Sequence, residues 1–305
     1  MSRIIPGLPS VKDIVKIYNL TAKSQLSQNF LLDKNITDKI LSLSRLNFEK
    51  SLVVEVGPGP GLLTRSIIEA GAKNLIVVEK DDRFLPTLNQ LSEVVEGSLK
   101  IVHGDMLKVA PETLWDLSSI AKEKIESVHV IGNLPFSVAT PLFLQWLRAF
   151  HTRTGLFSQG SGTLTLMFQE EVAERIASPP GVKSRGRLSV MAQSVCDSRV
   201  IYRVPSSAFV PKPKVNAAVV QLKSLPNCSL TAPLRSFEFI VRVFFQKRRK
   251  ILRRIALDIS PLLYQAITEL GLPEEARPEE LTTLQFCQLT NLIYEKYPEV
   301  LNLKR

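Results

Sequence analysis

SLVVEVGPGPG, residues 51–61, is the stretch that decides how the chain folds. SLVVEV is a short Val-rich run suited to a buried strand. Glycines at 57, 59 and 61 follow it, and an apolar segment at 62–70 has helical spacing. Glycine lets a turn take left-handed backbone angles and lets a ligand approach the main chain, since no Cβ stands in the way. Strand, glycine turn and helix together make the opening unit of an α/β sheet. The spacing is G-x-G-x-G with two interleaved prolines, not the dinucleotide pattern G-x-G-x-x-G, and alone it also fits a purely structural turn.

Outward from that stretch the pattern repeats. NLIVVE (74–79), LKIVHGD (99–105) and SVHVIGN (127–133) are short Val/Ile-rich runs, with helical segments expected at 62–70, 82–91 and 112–121 between them. Alternating strand and helix predicts a parallel sheet with helices on both faces and a ligand site at the carboxyl ends of its strands. Those ends carry Glu55 with Gly57, then Glu79, Asp105 and Asn133. Glu79 is placed to accept hydrogen bonds from both hydroxyls of a ribose, although within EKDDR it also reads as a solvated charge. Asp105, beside Met106, suits either an adenine amino group or a turn cap. Taken in order, the four ends describe a pocket for an adenosine-containing ligand. The last of them runs into GNLPFSVATPL (132–142), a strand end without an acid, a base or a thiol.

Further along, a helix is expected at roughly 138–149, followed by the Gly/Ser-rich loop HTRTGLFSQGSG (151–162). TLTLMFQ, the helix EEVAERIA and the basic loop PPGVKSRGR (179–187) come next. RVIYRV (199–204) and KVNAAVVQL (214–222) add strands to the same sheet. A Pro/Ser/Thr-rich linker is expected at 225–234, separating a sheet domain over 27–224 from a small all-helical domain over 235–305. Ser10 and Asp33 read as caps of two early helices. Residues 1–26 carry Arg3, Lys12, Lys16 and Lys23 against Asp13, with Val11, Ile14, Val15 and Tyr18 at helical spacing. That segment fits either a mitochondrial import signal or a docked amphipathic helix.

Composition narrows the function classes. A chain of 305 residues with 45% hydrophobic residues has room for two domains. Lys and Arg number 39 against 29 Asp and Glu, a net charge of +10 that favours an anionic partner such as nucleic acid. Cys196, Cys228 and Cys287 are too few and too scattered for a disulfide framework or a zinc site, so a reducing compartment and no structural metal are expected. No apolar run reaches the ~18–20 residues that span a bilayer, so a soluble protein without a membrane partner is expected.

QNFLLD (28–33), EVGPGPG, VEKD (78–81), HGDM (103–106), GNLPF (132–136), RGRLSVM (185–191), FVPKPKV (209–215) and FFQKRRKIL (244–252) resemble, in order, the motifs of the ribosomal RNA adenine dimethyltransferase family. They cover nearly the whole chain. The N-terminal stretch and the interruptions at 108–126 and 151–162 resemble most closely its mitochondrial branch.

The resemblance implies a Rossmann-like S-adenosylmethionine-dependent methyltransferase sheet with a small C-terminal all-helical domain. It implies S-adenosylmethionine as methyl donor and the N6 amine of adenosine as acceptor. By that pattern Gln28, Asn29 and Leu31 lie near the methionine end of the cofactor, with Glu55 and Gly57 beneath it. Glu79 would hold the ribose, Lys80 and Met106 the ring, and Asp105 the adenine amine, with Asn133 also at the cofactor. Asn133 and Leu134 would accept hydrogen bonds from the target amine, Pro135 would fix the turn, and Phe136 would stack on the base. Lys183, Arg185, Arg187, Phe209, Lys212, Lys214, Arg248 and Arg249 are the residues expected on RNA. The implied function is dimethylation of two adjacent adenosines in a hairpin near the 3′ end of mitochondrial small-subunit rRNA, by a monomer in the matrix acting on the assembling small subunit. A second reading is a nucleic-acid-binding factor of mitochondrial transcription or ribosome assembly, with methylation secondary. A DNA adenine methyltransferase fits NLPF and an NAD-dependent dehydrogenase fits the glycine loop, but neither accounts for the basic helical tail.

Overall fold

The Val- and Ile-rich runs become strands because β-branched side chains suit a pleated surface covered on both faces. The computed structural model describes residues 8–17 and 29–302, apart from the side chains of Phe136 and Ser137. In chain order the strands are β1 (Phe30–Leu31), β2 (Ser51–Val56), β3 (Leu75–Glu79), β4 (Leu99–His103) and β5 (Ser127–Gly132). They continue as β6 (Ser161–Gln169), β7 (Cys196–Val204), β8 (Phe209–Val210) and β9 (Ala217–Ser224). The main sheet has the order β4-β3-β2-β5-β6-β9-β7. It is parallel from β4 through β6, and β9 pairs antiparallel with β6. Every residue of β2 and β3 is buried, as parallel strands with helices on both faces require.

The direction of winding reverses between β2 and β5, which lie side by side with Glu55 opposite Ile131. Such a switch point opens a crevice at the strand ends, and here it falls between the glycine turn and GNLPF. Ile67 and Ile68 of the helix Leu62–Glu69 pack with Leu88 and Leu91 of the helix Leu85–Val94 onto Val53, Leu75, Val77 and Leu99. Ile14 belongs to the same cluster. The helix Val11–Ile17 is therefore docked on the sheet unit, and Ser10 caps it by accepting from the Asp13 N–H. Asp33 likewise caps the helix Lys34–Ser44.

Three local expectations differ from the structure. The helix expected at 112–121 stops at Asp116, because Ser118 turns its hydroxyl to the Ile120 carbonyl and Asn74 accepts from the Ser119 N–H. Serine and asparagine side chains compete in this way with helical hydrogen bonds. The expected linker at 225–234 is fastened down: Asn291 Oδ1 accepts from the N–H groups of Thr231 and Ala232, and its Nδ2 donates to the Ser229 carbonyl. Third, the two compact units of the chain are Met1–Ala173 with Arg199–Lys223, and Glu174–Ser198 with Ser224–Arg305. The segment 174–198 thus clusters with the helical unit, not with the sheet to which its sequence position assigned it.

Within that second unit, Phe237, Ile240, Val241 and Phe244 form one buried face of the helix Leu234–Gln246. The Phe244 ring meets Phe286 of the helix Thr283–Lys296 edge-on at 6.0 Å. Among the described residues no helix is long and apolar enough to cross a membrane.

Candidate active site

The carboxyl ends of β2, β3 and β5 open into one cleft. Asn29, Leu31, Glu55, Gly57, Glu79, Asn133, Leu134, Pro135 and Phe209 all line it. The glycine turn is built as its sequence requires, with Gly57, Gly59 and Gly61 at φ of 67°, 54° and 87°, where a side chain would strain the backbone. Gly57 donates to the Val78 carbonyl at 2.9 Å and so prolongs the β2–β3 ladder by one residue. Gly59 donates to Glu79 Oε2 at 3.0 Å, and Asp81 donates to Glu79 Oε1 at 2.7 Å. Each carboxylate oxygen keeps a second lone pair for a ligand hydroxyl.

Burial raises the pKa of Glu79, and the backbone hydrogen bonds oppose the shift. Glu55 is 1% exposed, and its Oε2 has no hydrogen-bond partner among the described residues. Burial pushes its carboxyl up to about 8; the nearby Thr64 hydroxyl, outside hydrogen-bonding geometry, moderates this and Glu79 adds to it. Asp105 stands apart from the cleft lining, as do Lys80 and Met106. Lys80 Nζ pairs with Asp105 Oδ2 at 2.9 Å, and the Leu107 N–H donates to Oδ1 at 3.1 Å. The pairing holds Asp105 below the usual carboxylate range. Lys80 and Asp105, expected on the cofactor ring and its adenine amine, are thus paired with each other. Gln28 lies outside the described residues.

On the opposite wall, Asn133 Nδ2 donates to the Asn29 carbonyl at 3.2 Å, which leaves Oδ1 to accept. Leu134 is buried, and the Pro135 carbonyl accepts from the N–H groups of Val138 and Ala139 to start the helix Phe136–Thr152. Phe136 opens that helix, and its side chain lies outside the description. A residue without an assigned role turns out to be constrained: a Cβ on Gly132 would stand 2.8 Å from the Val56 carbonyl oxygen and 3.1 Å from a Leu134 methyl. A glycine as the last residue of β5, directly before Asn133, is the signal for it. Phe30 was missed as well. Its ring stands edge-on to Phe84 at 5.6 Å and supports Gly59 from below.

QNFLLD and FVPKPKV, far apart in sequence, meet here. β1 and β8 pair antiparallel, with Leu31 opposite Phe209. Phe209, expected on RNA, is 5% exposed, packs with Leu31, Ile40, Met167 and Val219, and is among the residues lining the cleft.

Residues 19–295 match the family model described as "Ribosomal RNA adenine dimethylase". The chain belongs to the ribosomal RNA adenine dimethylase family. As a member it is an S-adenosylmethionine-dependent enzyme that dimethylates adenine in ribosomal RNA. It is 42% identical to "Dimethyladenosine transferase 1, mitochondrial" of Xenopus laevis, covering 95% of this chain and 87% of the relative. Identity to the Homo sapiens protein of that name is 47%, over 82% of this chain and 72% of the relative. "Ribosomal RNA small subunit methyltransferase A" of Paracoccus denitrificans is 38% identical over 93% of this chain and 96% of its own length. A dimethyladenosine transferase from Plasmodium falciparum shares the fold, with a TM-score of 0.69 at 21% identity over 87% of this chain and 97% of that one.

The basic residues expected on RNA divide sharply. Lys183, Arg187, Lys212, Lys214 and Arg249 are exposed. Arg185 is not: it is 0% exposed, and its guanidinium donates to the Ser178 carbonyl, Gln193 Oε1 and Thr283 Oγ1 at 2.8–3.0 Å. Burial lowers its pKa to about 10. Assigning Arg185 to RNA is thereby corrected, since a side chain enclosed by three acceptors of its own unit cannot reach a phosphate. Arg248 is half-exposed and donates to the carbonyls of Lys183 and Arg185, so it also holds the 179–187 loop in shape.

Proposed function

We propose that this enzyme dimethylates two adjacent adenosines in a hairpin near the 3′ end of mitochondrial small-subunit rRNA, during assembly of that subunit in the matrix. The observation carrying this reading is the fixed amide of Asn133 at the mouth of a cleft that also holds Glu55 and Glu79. The mitochondrial setting is supported by the names of the Xenopus and human relatives.

An adenine N6 amine is planar and weakly nucleophilic, because its lone pair is delocalised into the ring. S-adenosylmethionine supplies an electrophilic methyl on a positively charged sulfur, so the protein's task is chiefly one of position. Asn133 Oδ1 and the Leu134 carbonyl accept the two amine hydrogens and draw the nitrogen towards tetrahedral geometry, its lone pair aimed at the methyl. After the first methylation one hydrogen remains, and one acceptor suffices for the second. Phe136, at the start of its helix, stacks on a base taken out of the RNA, a contact worth ~1–3 kcal/mol. Glu79 holds the ribose through its remaining lone pairs. Lys183, Arg187, Lys212, Lys214 and Arg249 meet phosphates, in keeping with the net charge of +10.

The test is to incubate the full chain with labelled S-adenosylmethionine and a small-subunit rRNA hairpin, then read modified nucleosides by mass spectrometry. Dimethyladenosine at two adjacent positions is expected. Its absence from every small-subunit rRNA substrate would overturn the reading.

A further inference from the structure

Two buried carboxylates share the cofactor cleft. Glu55 and Glu79 both line it, and among its described lining residues there is no Lys, Arg or His. The cations on neighbouring segments are engaged elsewhere: Arg83 with Asp81 at 2.6 Å, Lys80 with Asp105, and Lys34 with Asp38 and Glu69 at 2.7 and 2.6 Å. Arg65 donates to the Pro9 carbonyl. Towards Glu55 itself, β5 presents Ile131 in register, the helix Leu62–Glu69 presents Thr64, and the helix Lys34–Ser44 brings Thr37 to the same cleft. All three are uncharged. Among the described residues the charge that acts on Glu55 is that of Glu79, and it repels.

An enclosed carboxyl in such surroundings prefers its neutral form, and a cation arriving in the cleft reverses the preference. The cofactor and its demethylated product carry the same adenosine and amino-acid groups. They differ by one methyl and by the positive charge on sulfur. Two methyl groups on one adenine require two cofactor molecules, so the spent product must leave between transfers.

We propose that Glu55 makes the cleft selective for that positive charge: it holds a proton in the free protein, releases it to solvent when S-adenosylmethionine binds, and keeps it when the demethylated product binds. The proposal rests on the assignment of this cleft to the cofactor. Its orphaned Oε2 then has a purpose, as the atom that faces the charge once ionised. The site's elevated carboxyl, near 8, places the exchange in the neutral range.

The test is titration calorimetry of the full-length native protein at about pH 7, with each ligand in two buffers of different protonation heat. The buffer dependence gives the protons released. S-adenosylmethionine should release close to one proton more than S-adenosylhomocysteine, after the protonation of each ligand's own amine, which the sulfonium charge lowers in S-adenosylmethionine, is titrated on the free ligand and subtracted. The ratio of their affinities should rise by about tenfold per pH unit below the Glu55 pKa and level off above it. In Glu55→Gln, with its fold checked by circular dichroism, the extra proton should disappear and the ratio should lose its pH dependence. Equal proton release for the two ligands in the native protein would overturn the proposal, whether or not the variant folds. An undiminished difference in a folded Glu55→Gln would overturn it too. Failure of the native protein to bind either ligand would instead overturn the cofactor assignment, and the proposal with it.

Discussion

The Gly59 amide donates to Glu79 Oε2 at 3.0 Å, so the turn that ends β2 is anchored by the residue that ends β3. Glu79 thereby shapes the glycine turn, and on the proposed reading it also presents acceptors to the ribose. Glu79→Gln should lose more than a ribose contact, because an amide turned the wrong way sets N–H against N–H at Gly59 or Asp81. A hydrogen bond to a charged group is worth about 1.5–3 kcal/mol, so cofactor affinity should fall at least about tenfold by calorimetry. Unchanged affinity would reject the assignment.

Gly132→Ala tests the close approach of β5 to β2. The added Cβ would meet a backbone oxygen at 2.8 Å, which cannot swing aside as a side chain can. Overpacking of this kind costs about 1–3 kcal/mol, and the thermal midpoint should drop by several degrees. Because Asn133 is the next residue, methyl transfer should slow as well.

Stability against pH follows from Glu55. Its carboxyl rises from the ordinary 4.5 to about 8 on folding, so between those values the folded protein binds more protons than the unfolded chain. Its contribution is complete below about 4.5 and is lost as pH climbs towards 8. Melting curves of the free protein should therefore decline over that window. Glu55→Gln, which keeps the neutral shape, should flatten the decline; a parallel decline in the variant would assign the effect to another group.

Arg185 and Arg249 should respond in opposite ways. Arg185→Ala removes three hydrogen bonds from a buried charged group, each worth about 1.5–3 kcal/mol, although Gln193 Nε2 still donates to the Ser178 carbonyl and Thr283 to Gln193 Oε1, and it should destabilise the helical unit. Arg249→Ala should leave the melt unchanged while lowering the salt dependence of RNA binding by about one phosphate. A loss of stability in Arg249→Ala would count against its place on the surface.

These residues also mark what was legible in the sequence. β2 and β3 could be read because both faces are buried, which makes them largely Val/Ile/Leu runs interrupted by Ser51 and Glu55 in β2 and ended by Glu79 in β3. The glycine turn could be read because nothing but glycine tolerates three left-handed positions so close together. Arg185 could not, since a basic loop reads the same whether its arginine faces solvent or an internal set of acceptors. Nor could the β1–β8 ribbon: two residues per strand carry no periodicity, and the pairing joins distant motifs. The place of Glu174–Ser198 in the helical unit depends on Arg185 and on Arg248 holding the neighbouring carbonyls, contacts that spacing along the chain does not reveal. At the N-terminus, burial of Val11 and Ile14 shows a docked helix over residues 11–17, while residues 1–7 and 18–26 of that segment lie outside the described residues.

Asn133→Ala tests the central claim most directly. With the rRNA hairpin saturating, single-turnover methyl transfer and cofactor affinity are measured on the same preparation. If Asn133 positions the amine, the transfer rate should fall by about 10²-fold or more while S-adenosylmethionine binding stays within a few-fold of native. A variant that binds cofactor normally and still forms dimethyladenosine at the native rate would contradict the account.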